Sequence, residues 1–152
     1  MILPQSHTLT TRHLNRVFDN TVATYKYYWF LGILDACVKQ GKSRINVWDI
    51  MISMVANAWY PVNYFRLSFG KSESLYDAIL TLQREYNIPI NISINELTEL
   101  LQTLVQRREV RRMLNFLQQN VPFRFLRPWI DTSDDRQAVL RSQTFENGCL
   151  YK

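Results

Sequence analysis

The stretch TYKYYWFLGILDACVK, residues 24–39, decides the fold class because it is apolar on nearly every face. Only Lys26, Gly32 and Asp35 interrupt it. A strand is an alternative for the aromatic part, but a run of this length without a turn signal favours a helix. A helix that is apolar all round belongs in the centre of a core. The sequence therefore predicts a central core helix here, with Gly41 as its natural stop.

A second apolar segment follows at residues 47–60, with Asn46 placed to cap its N-terminus. Pro61 is expected to end or kink this helix, and to open a short one that runs to about residue 67. One polar stripe runs along the segment, formed by residues that recur every four positions: Asp49, Ser53 and Asn57.

The rest of the chain carries further helix signals. Ser93 followed by Glu96 is a capping-box pattern, and the apolar residues after it have the spacing of one helix face: Leu97, Leu100, Leu101, Leu104 and Val105. Further helices are predicted near the N-terminus, where Thr10 or Thr11 is the cap, at about 72–86 and 107–119, and from a cap within 131–133 to about 141. Residues 121–130 hold Pro122 and Pro128 and are predicted to be extended.

These segments predict an all-α fold class, with about six to eight helices in a single compact domain over residues 1–130. Residues 131–152 are expected to form a C-terminal helix and loop, or the start of a linker to a further domain. The chain has 4 Gly and 5 Pro among 152 residues, which disfavours a turn-dense β-sandwich and a glycine-rich phosphate loop.

Few residues of the chain suit a catalytic or metal site. His7 and His13 lack a nearby ligand set, and Cys37 and Cys149 show no CxxC spacing. No phosphate-binding loop, dinucleotide fingerprint or nucleophile elbow is present. We therefore expect no catalytic residue, no metal and no cofactor in this part of the protein.

The chain shows no targeting signal. Its N-terminus lacks the basic and apolar regions of a signal peptide. The longest uncharged run, residues 50–65, has 16 residues and falls short of a membrane span. We expect a cytoplasmic protein with no membrane partner.

The positive charge is confined to one window. Residues 1–100 carry nine Lys or Arg against eight Asp or Glu, and residues 131–152 carry three against four. Residues 101–130 carry six Arg against one Glu, which accounts for the whole net charge of +5. These arginines are the candidate nucleic-acid-binding residues: Arg107, Arg108, Arg111, Arg112, Arg124 and Arg127.

The first four of these arginines share one helix face, and arginine is well suited to gripping phosphate. The last two follow on the segment predicted to be extended, with aromatic residues interleaved as stacking partners: Phe123, Phe125 and Trp129. One alternative is a solvated face whose arginines pair with Glu109 or with an acidic cluster at residues 131–135. Another is a contact with a further domain.

A dense aromatic segment, WYPVNYFRLSFG at residues 59–70, has two interpretations. As core, its large rings would fill a junction between helices. As surface, they would form a stacking platform or a partner contact. The core interpretation is favoured.

Three stretches resemble a known family: NTVATYKYYWFLGILD at 20–35, AWYPVNYFRLSFG at 58–70 and VPFRFLRP at 121–128. They resemble the N-terminal region of a bacterial family of proteins with an HNH endonuclease domain. The likeness covers about residues 12 to 130.

The resemblance implies a helical domain ahead of a nuclease domain, in which histidines activate water and bind a divalent metal on a ββα unit. Here no histidine follows His13, and no ββα pattern is present. We therefore carry over no catalytic residue and expect an N-terminal domain without the catalytic centre.

These observations lead to the hypothesis of a non-catalytic helical domain that helps to hold DNA through its arginine face. Binding would be salt-sensitive and weakly sequence-specific. One alternative is a protein–protein or inter-domain module without nucleic-acid affinity, whose partner is a C-terminal nuclease domain or a second copy of the chain. A standalone enzyme would need a pocket lined by the polar stripe.

Overall fold

The computed structural model describes residues 11–19, 24–67 and 74–152, except for the side chain of Asn120. Within these residues the chain forms seven α-helices and no strand, which confirms the all-α class and the expected helix number. They are α1 (Arg12–Arg16), α2 (Tyr25–Leu34), α3 (Val47–Asn63), α4 (Ser74–Glu85), α5 (Ile94–Leu104), α6 (Arg108–Leu126) and α7 (Asp135–Ser142). A π-helical turn, Asp35–Lys39, extends α2, and a short 3₁₀ turn covers Glu146–Gly148.

The described residues group into two units. The larger unit holds residues 24–67 and 74–119, and the terminal unit holds residues 11–19 and 120–152. The division falls inside α6, just before Pro122. Residues 131–152 therefore group with residues 120–130, whereas the domain boundary predicted from the sequence lies at residue 130.

Helix α3 is the centre of the larger unit and packs against α2, α4 and α5. Its buried residues cover most of its turns: Ile50, Met51, Ile52, Met54, Val55, Ala56, Ala58, Trp59, Val62 and Asn63. Helix α2 buries only Trp29, Gly32 and Ile33, while Leu31 and Leu34 are exposed. The sequence predicted the central core helix at 24–39, but the central helix is α3. Overall apolarity does not show which helix has neighbours on several sides.

Two prolines lie inside helices, although the sequence predicted that Pro61 ends or kinks its helix and that the segment with Pro122 is extended. Helix α3 continues past Pro61, and the short helix predicted to start there is absent from the described residues up to 67. Helix α6 continues past Pro122, so residues 121–126 are helical rather than extended. In both helices residues after the proline are buried: Val62, Asn63, Phe125 and Leu126. Their burial offsets the hydrogen bond that each proline cannot make.

The helix caps largely follow the sequence. The Asn46 side chain accepts a hydrogen bond from the Trp48 backbone N–H at 2.9 Å. Ser93 and Glu96 form the complete capping box. The last helix is capped by Asp134, just after the range 131–133 that the sequence indicated. In α1 the Thr11 side chain makes no capping hydrogen bond, and Thr10 lies outside the described residues.

The terminal unit has its own aromatic core. Phe125 contacts Phe18 edge-on, with ring centroids 6.2 Å apart, and stacks at longer range on Trp129 and Tyr151. The Tyr151 hydroxyl donates a hydrogen bond to the carbonyl oxygen of Pro122 at 2.6 Å. This bond ties the end of the chain to the turn of α6 that contains the proline.

None of the helices in the described ranges is both long enough and apolar enough to cross a membrane.

Gly32 provides the first testable prediction, because a Cβ there would lie 3.0 Å from Ile50 Cγ2 and 3.2 Å from the Ile50 carbonyl oxygen. Alanine is the better helix former by about 1 kcal/mol, but the Ile50 carbonyl oxygen belongs to the backbone of α3 and cannot move aside as a side chain can. We expect Gly32→Ala to lower the free energy of unfolding by about 1 to 2 kcal/mol, as overpacking does. Urea denaturation measures the change.

The matched control is Val38→Ala at a side chain that is 76% exposed, which should stay within about 0.5 kcal/mol of wild type. A Gly32→Ala protein as stable as wild type would contradict the close packing of α2 on α3.

The capping box of α5 provides a pH prediction. Hydrogen bonds from Ser93 hold the pKa of the Glu96 carboxyl below its ordinary value. A carboxyl with a lower pKa in the folded state stabilises the fold at pH values above its unfolded-state pKa, and this contribution is lost as the pH falls through the folded-state pKa. We expect Ser93→Ala to raise the Glu96 pKa towards its ordinary value, as measured by NMR titration.

Thr98→Ala is the control, because it removes a hydroxyl that bonds the Ile94 carbonyl on the same helix and leaves the box intact. An unchanged Glu96 pKa in Ser93→Ala would show that the box does not form in solution.

Candidate nucleic-acid interface

The turn between α5 and α6 places four of the six candidate arginines. Val105 and Val110 are buried on either side of the turn and fix it to the larger unit. The four arginines begin just before α6 and continue through its first turns, and all four are exposed: Arg107, Arg108, Arg111 and Arg112. We call these four residues the arginine patch. Arg108 and Arg112 lie on the side of α6 opposite the buried positions Val110, Leu114 and Leu117, and Arg111 lies at the edge of the buried side.

Two members of the arginine patch pack against neighbouring helices. Arg111 Nε donates a hydrogen bond to the Val105 carbonyl oxygen at 2.7 Å, and its guanidinium lies 5.2 Å from the centroid of the Trp48 ring. The Arg107 guanidinium lies 5.4 Å from the centroid of the Tyr86 ring. Arg107 and Arg111 therefore help to fix the turn, in addition to any contact with a ligand.

The other two members, Arg108 and Arg112, make no hydrogen bond or ring contact with a side chain of the described residues. Within its own unit, none of the six candidate arginines lies within 4.0 Å of a carboxylate of the described residues, where the ion pairs found are Lys39 with Asp35 and Arg141 with Glu146. Pairing of the arginine patch with Glu109, and of Arg124 and Arg127 with the acidic cluster at 131–135, is therefore not observed.

The position of Arg108 and Arg112 has an electrostatic consequence. Both lie in the first turns of α6, where the helix dipole presents its positive end, and Glu109 is the one acidic residue of the first turn. Cations are disfavoured there by a few tenths of a kcal/mol or more each. The guanidinium groups and the helix end together make a positive surface that favours an anion.

Arg124 and Arg127 belong to the terminal unit and are exposed. Arg124 lies on α6, which corrects the prediction that it stands on an extended segment. The aromatic residues around them are not available as stacking partners, because Phe125 and Trp129 are buried and Phe123 is partly buried. The six arginines are thus divided between the two units.

The aromatic segment at 59–70 is part core and part surface. Trp59 and Val62 are buried, as the core interpretation predicted. That interpretation was wrong for three rings, because Tyr60, Tyr64 and Phe65 are exposed. We call these three the aromatic cluster. Residues 68–70 lie outside the described residues.

The polar stripe of α3 bonds within its own helix. The Asn57 side-chain amide donates to the Ser53 carbonyl oxygen at 2.8 Å and to the Ser53 hydroxyl at 3.1 Å. Asp49 is exposed near the start of α3. Ser53 lies beside Gly32, at the contact between α2 and α3. These bonds give the stripe a structural role along the helix.

The histidine and cysteine residues that the structure describes are not grouped into a metal or catalytic site. His13 Nδ1 lies 2.6 Å from the Pro128 carbonyl oxygen, and its ring stacks on Trp129 in the terminal unit. Burial raises the pKa of the Cys149 thiol, which makes it a poor nucleophile. The residues that the structure describes contain no group of three or more His, Cys, Asp or Glu suited to a metal ion. His7 lies outside them.

Comparison of the chain with protein-family models, with curated proteins and with solved structures gives no match.

The different contacts of Arg111 and Arg108 lead to a stability prediction. Arg111→Ala removes one hydrogen bond and one cation–π contact, so we expect the free energy of unfolding to fall by about 1 to 2 kcal/mol. Arg108→Ala removes an exposed cation from a helix N-terminus and should change it by less than about 0.5 kcal/mol. Urea denaturation of the two variants tests this difference, and equal losses would contradict the assigned contacts.

Proposed function

We propose that the larger unit binds the phosphate backbone of DNA through the arginine patch, with Arg108 and Arg112 as the principal contacts. The observation that carries this proposal is that both guanidinium groups are exposed and that no carboxylate among the described residues of the larger unit lies within 4.0 Å of them. Arginine presents several donors in a fixed fork that matches phosphate oxygens. Such contacts hold the nucleic acid and carry little sequence information.

The spacing of the two arginines supports a grip on one backbone. Residues four apart on a helix have Cβ atoms about 5 to 6 Å apart on the same face. The guanidinium groups of Arg108 and Arg112 therefore lie next to each other on one face of α6. Arg107 and Arg111 add positive charge beside them while remaining packed on Tyr86 and Trp48.

Arg124 and Arg127 are proposed as a further phosphate contact of the terminal unit. Their support is exposure and charge alone, because their aromatic neighbours are buried or partly buried. They are therefore given a secondary role.

The domain is proposed to be non-catalytic and to serve a nuclease of the HNH type. The support for this step is the resemblance of residues 20–35, 58–70 and 121–128 to the N-terminal region of that family. In such an arrangement the helical domain would hold DNA while a separate domain of the nuclease cleaves it.

Salt dependence is the test of the proposed function. Wild-type protein should bind a labelled DNA duplex with an affinity that falls steeply with salt, since each phosphate contact contributes about −0.9 to the slope of log K against log salt. Arg108→Glu with Arg112→Glu should weaken binding by at least about tenfold and reduce that slope by about 2. Fluorescence anisotropy at several salt concentrations measures both quantities.

The matched control is Arg84→Glu with Arg136→Glu, which changes the net charge equally at two exposed arginines outside the patch. Equal weakening by the control would show that net charge alone attracts DNA. An absent or salt-independent response of the wild-type protein would reject the proposal and favour a protein–protein or inter-domain module.

A further inference from the structure

The aromatic cluster is exposed although its residues are of the kind that usually enter a core. Tyr60 is 47%, Tyr64 62% and Phe65 59% exposed. On the other side of the same helix end, Trp59 and Val62 are buried in the core. The exposed rings are therefore not needed to close the larger unit, and their exposure requires another explanation.

The rings of the cluster are already arranged as a stack. The Tyr60 and Tyr64 rings lie nearly parallel, with centroids 4.8 Å apart and planes 10° apart. Phe65 meets both rings edge-on, at 5.6 Å from Tyr60 and 5.0 Å from Tyr64. The three rings support one another, so a flat ligand that adds to the stack meets side chains with little freedom left to lose.

Arg66, directly after the cluster in the sequence, has a left-handed backbone conformation. Arg66 follows the end of α3 with φ of 53°, in the left-handed region that costs a residue with a Cβ about 1 to 2 kcal/mol. Helix α4 ends with a left-handed residue too, but there it is Asn87, a type suited to that conformation. Arg66 is exposed beside Phe65. The backbone N–H groups of Arg66 and Leu67 donate to the carbonyl oxygens of Val62 and Pro61, so Arg66 is the left-handed residue that closes the end of α3.

The segment that carries the cluster has one charged residue. From residue 50 to residue 67 the sequence contains only the cation Arg66. Exposed aromatic rings next to a cation, with no acidic residue in the segment, match the composition of platforms that bind single-stranded nucleic acid. A base stacks on the ring, and the cation meets the phosphate.

We propose that Tyr60, Tyr64 and Phe65 stack with unpaired bases of single-stranded nucleic acid, while Arg66 contacts the adjoining phosphate. This inference rests on the proposed nucleic-acid binding of the same unit and adds that the substrate has an unpaired stretch. Trp48, which packs on Arg111, lies about 18 Å from Tyr60 along the axis of α3, because twelve residues separate them. The bases thus contact a region of the unit separate from the arginine patch.

The test compares ring-keeping with ring-removing substitutions. Tyr60→Leu with Tyr64→Leu removes the aromatic faces but keeps apolar bulk, whereas Tyr60→Phe with Tyr64→Phe keeps the rings. The probe is a labelled thymidine oligonucleotide of about 15 nucleotides, long enough for one stacking site. We expect the leucine pair to bind it about 5- to 100-fold more weakly than wild type, and the phenylalanine pair to bind like wild type.

Two further ligands separate this inference from the proposed function. An abasic oligonucleotide of equal length keeps the phosphates, so wild type should bind it as weakly as the leucine pair binds the thymidine oligonucleotide. The bases of a blunt duplex are paired and inaccessible, so the leucine pair should bind it like wild type. Arg108→Glu with Arg112→Glu should weaken the binding of both the thymidine oligonucleotide and the duplex. A uridine oligonucleotide in parallel distinguishes RNA from DNA as the preferred strand.

Equal binding of the thymidine and abasic oligonucleotides, or unchanged binding by the leucine pair, would overturn the stacking site and leave the arginine patch untouched. Loss of a dimer in the leucine pair, seen by light scattering with unchanged oligonucleotide affinity, would also overturn it and assign the cluster to a second copy of the chain. Absence of binding to every ligand by wild type would reject both proposals.

Discussion

The larger unit depends on the burial of helix α3, which must be enclosed on most of its circumference by α2, α4 and α5. The close approach of α2 is possible because Gly32 has no side chain where Ile50 passes. Buried apolar area is the main source of stability in such a domain. The polar groups of α3 adapt to this constraint, since Asn57 and Asn63 bond to carbonyl oxygens of the helix itself.

The two ends of this buried helix are used differently. At its start Trp48 receives the guanidinium of Arg111, which fixes the turn before α6 and leaves Arg108 and Arg112 extending from it. At its end the helix continues past Pro61, and Tyr60 and Tyr64, on either side of the proline, are exposed as a stacked pair. Both proposed contacts with nucleic acid are therefore made by residues that are not buried in the core.

Local signals in the sequence predicted the helices well, because caps and apolar spacing act over a few residues, as at Asn46 and Ser93. They failed where distant packing decides the outcome. Pro61 was expected to end or kink its helix, and the segment with Pro122 was expected to be extended. Both segments are helical past the proline, where Val62 and Phe125 are buried. The charge pattern of the sequence identified the arginines, but it did not show that Arg111 contacts Trp48 while Arg108 makes no such contact, because this difference depends on which helices meet. The sequence did not show how the helix is oriented about its axis near Pro61, and this orientation decides which aromatic rings are exposed.

The central claim is that Arg108 and Arg112 are available for phosphate while Arg111 is engaged in packing. The most direct measurement is an NMR titration of the arginine side-chain Nε–Hε signals with a DNA duplex. The proposed function predicts that the signals of Arg108 and Arg112 shift strongly. The Arg111 signal should move little, because its Nε–H donates to the Val105 carbonyl oxygen. Equal shifts of all arginine signals, or shifts confined to Arg84 and Arg136, would contradict this assignment.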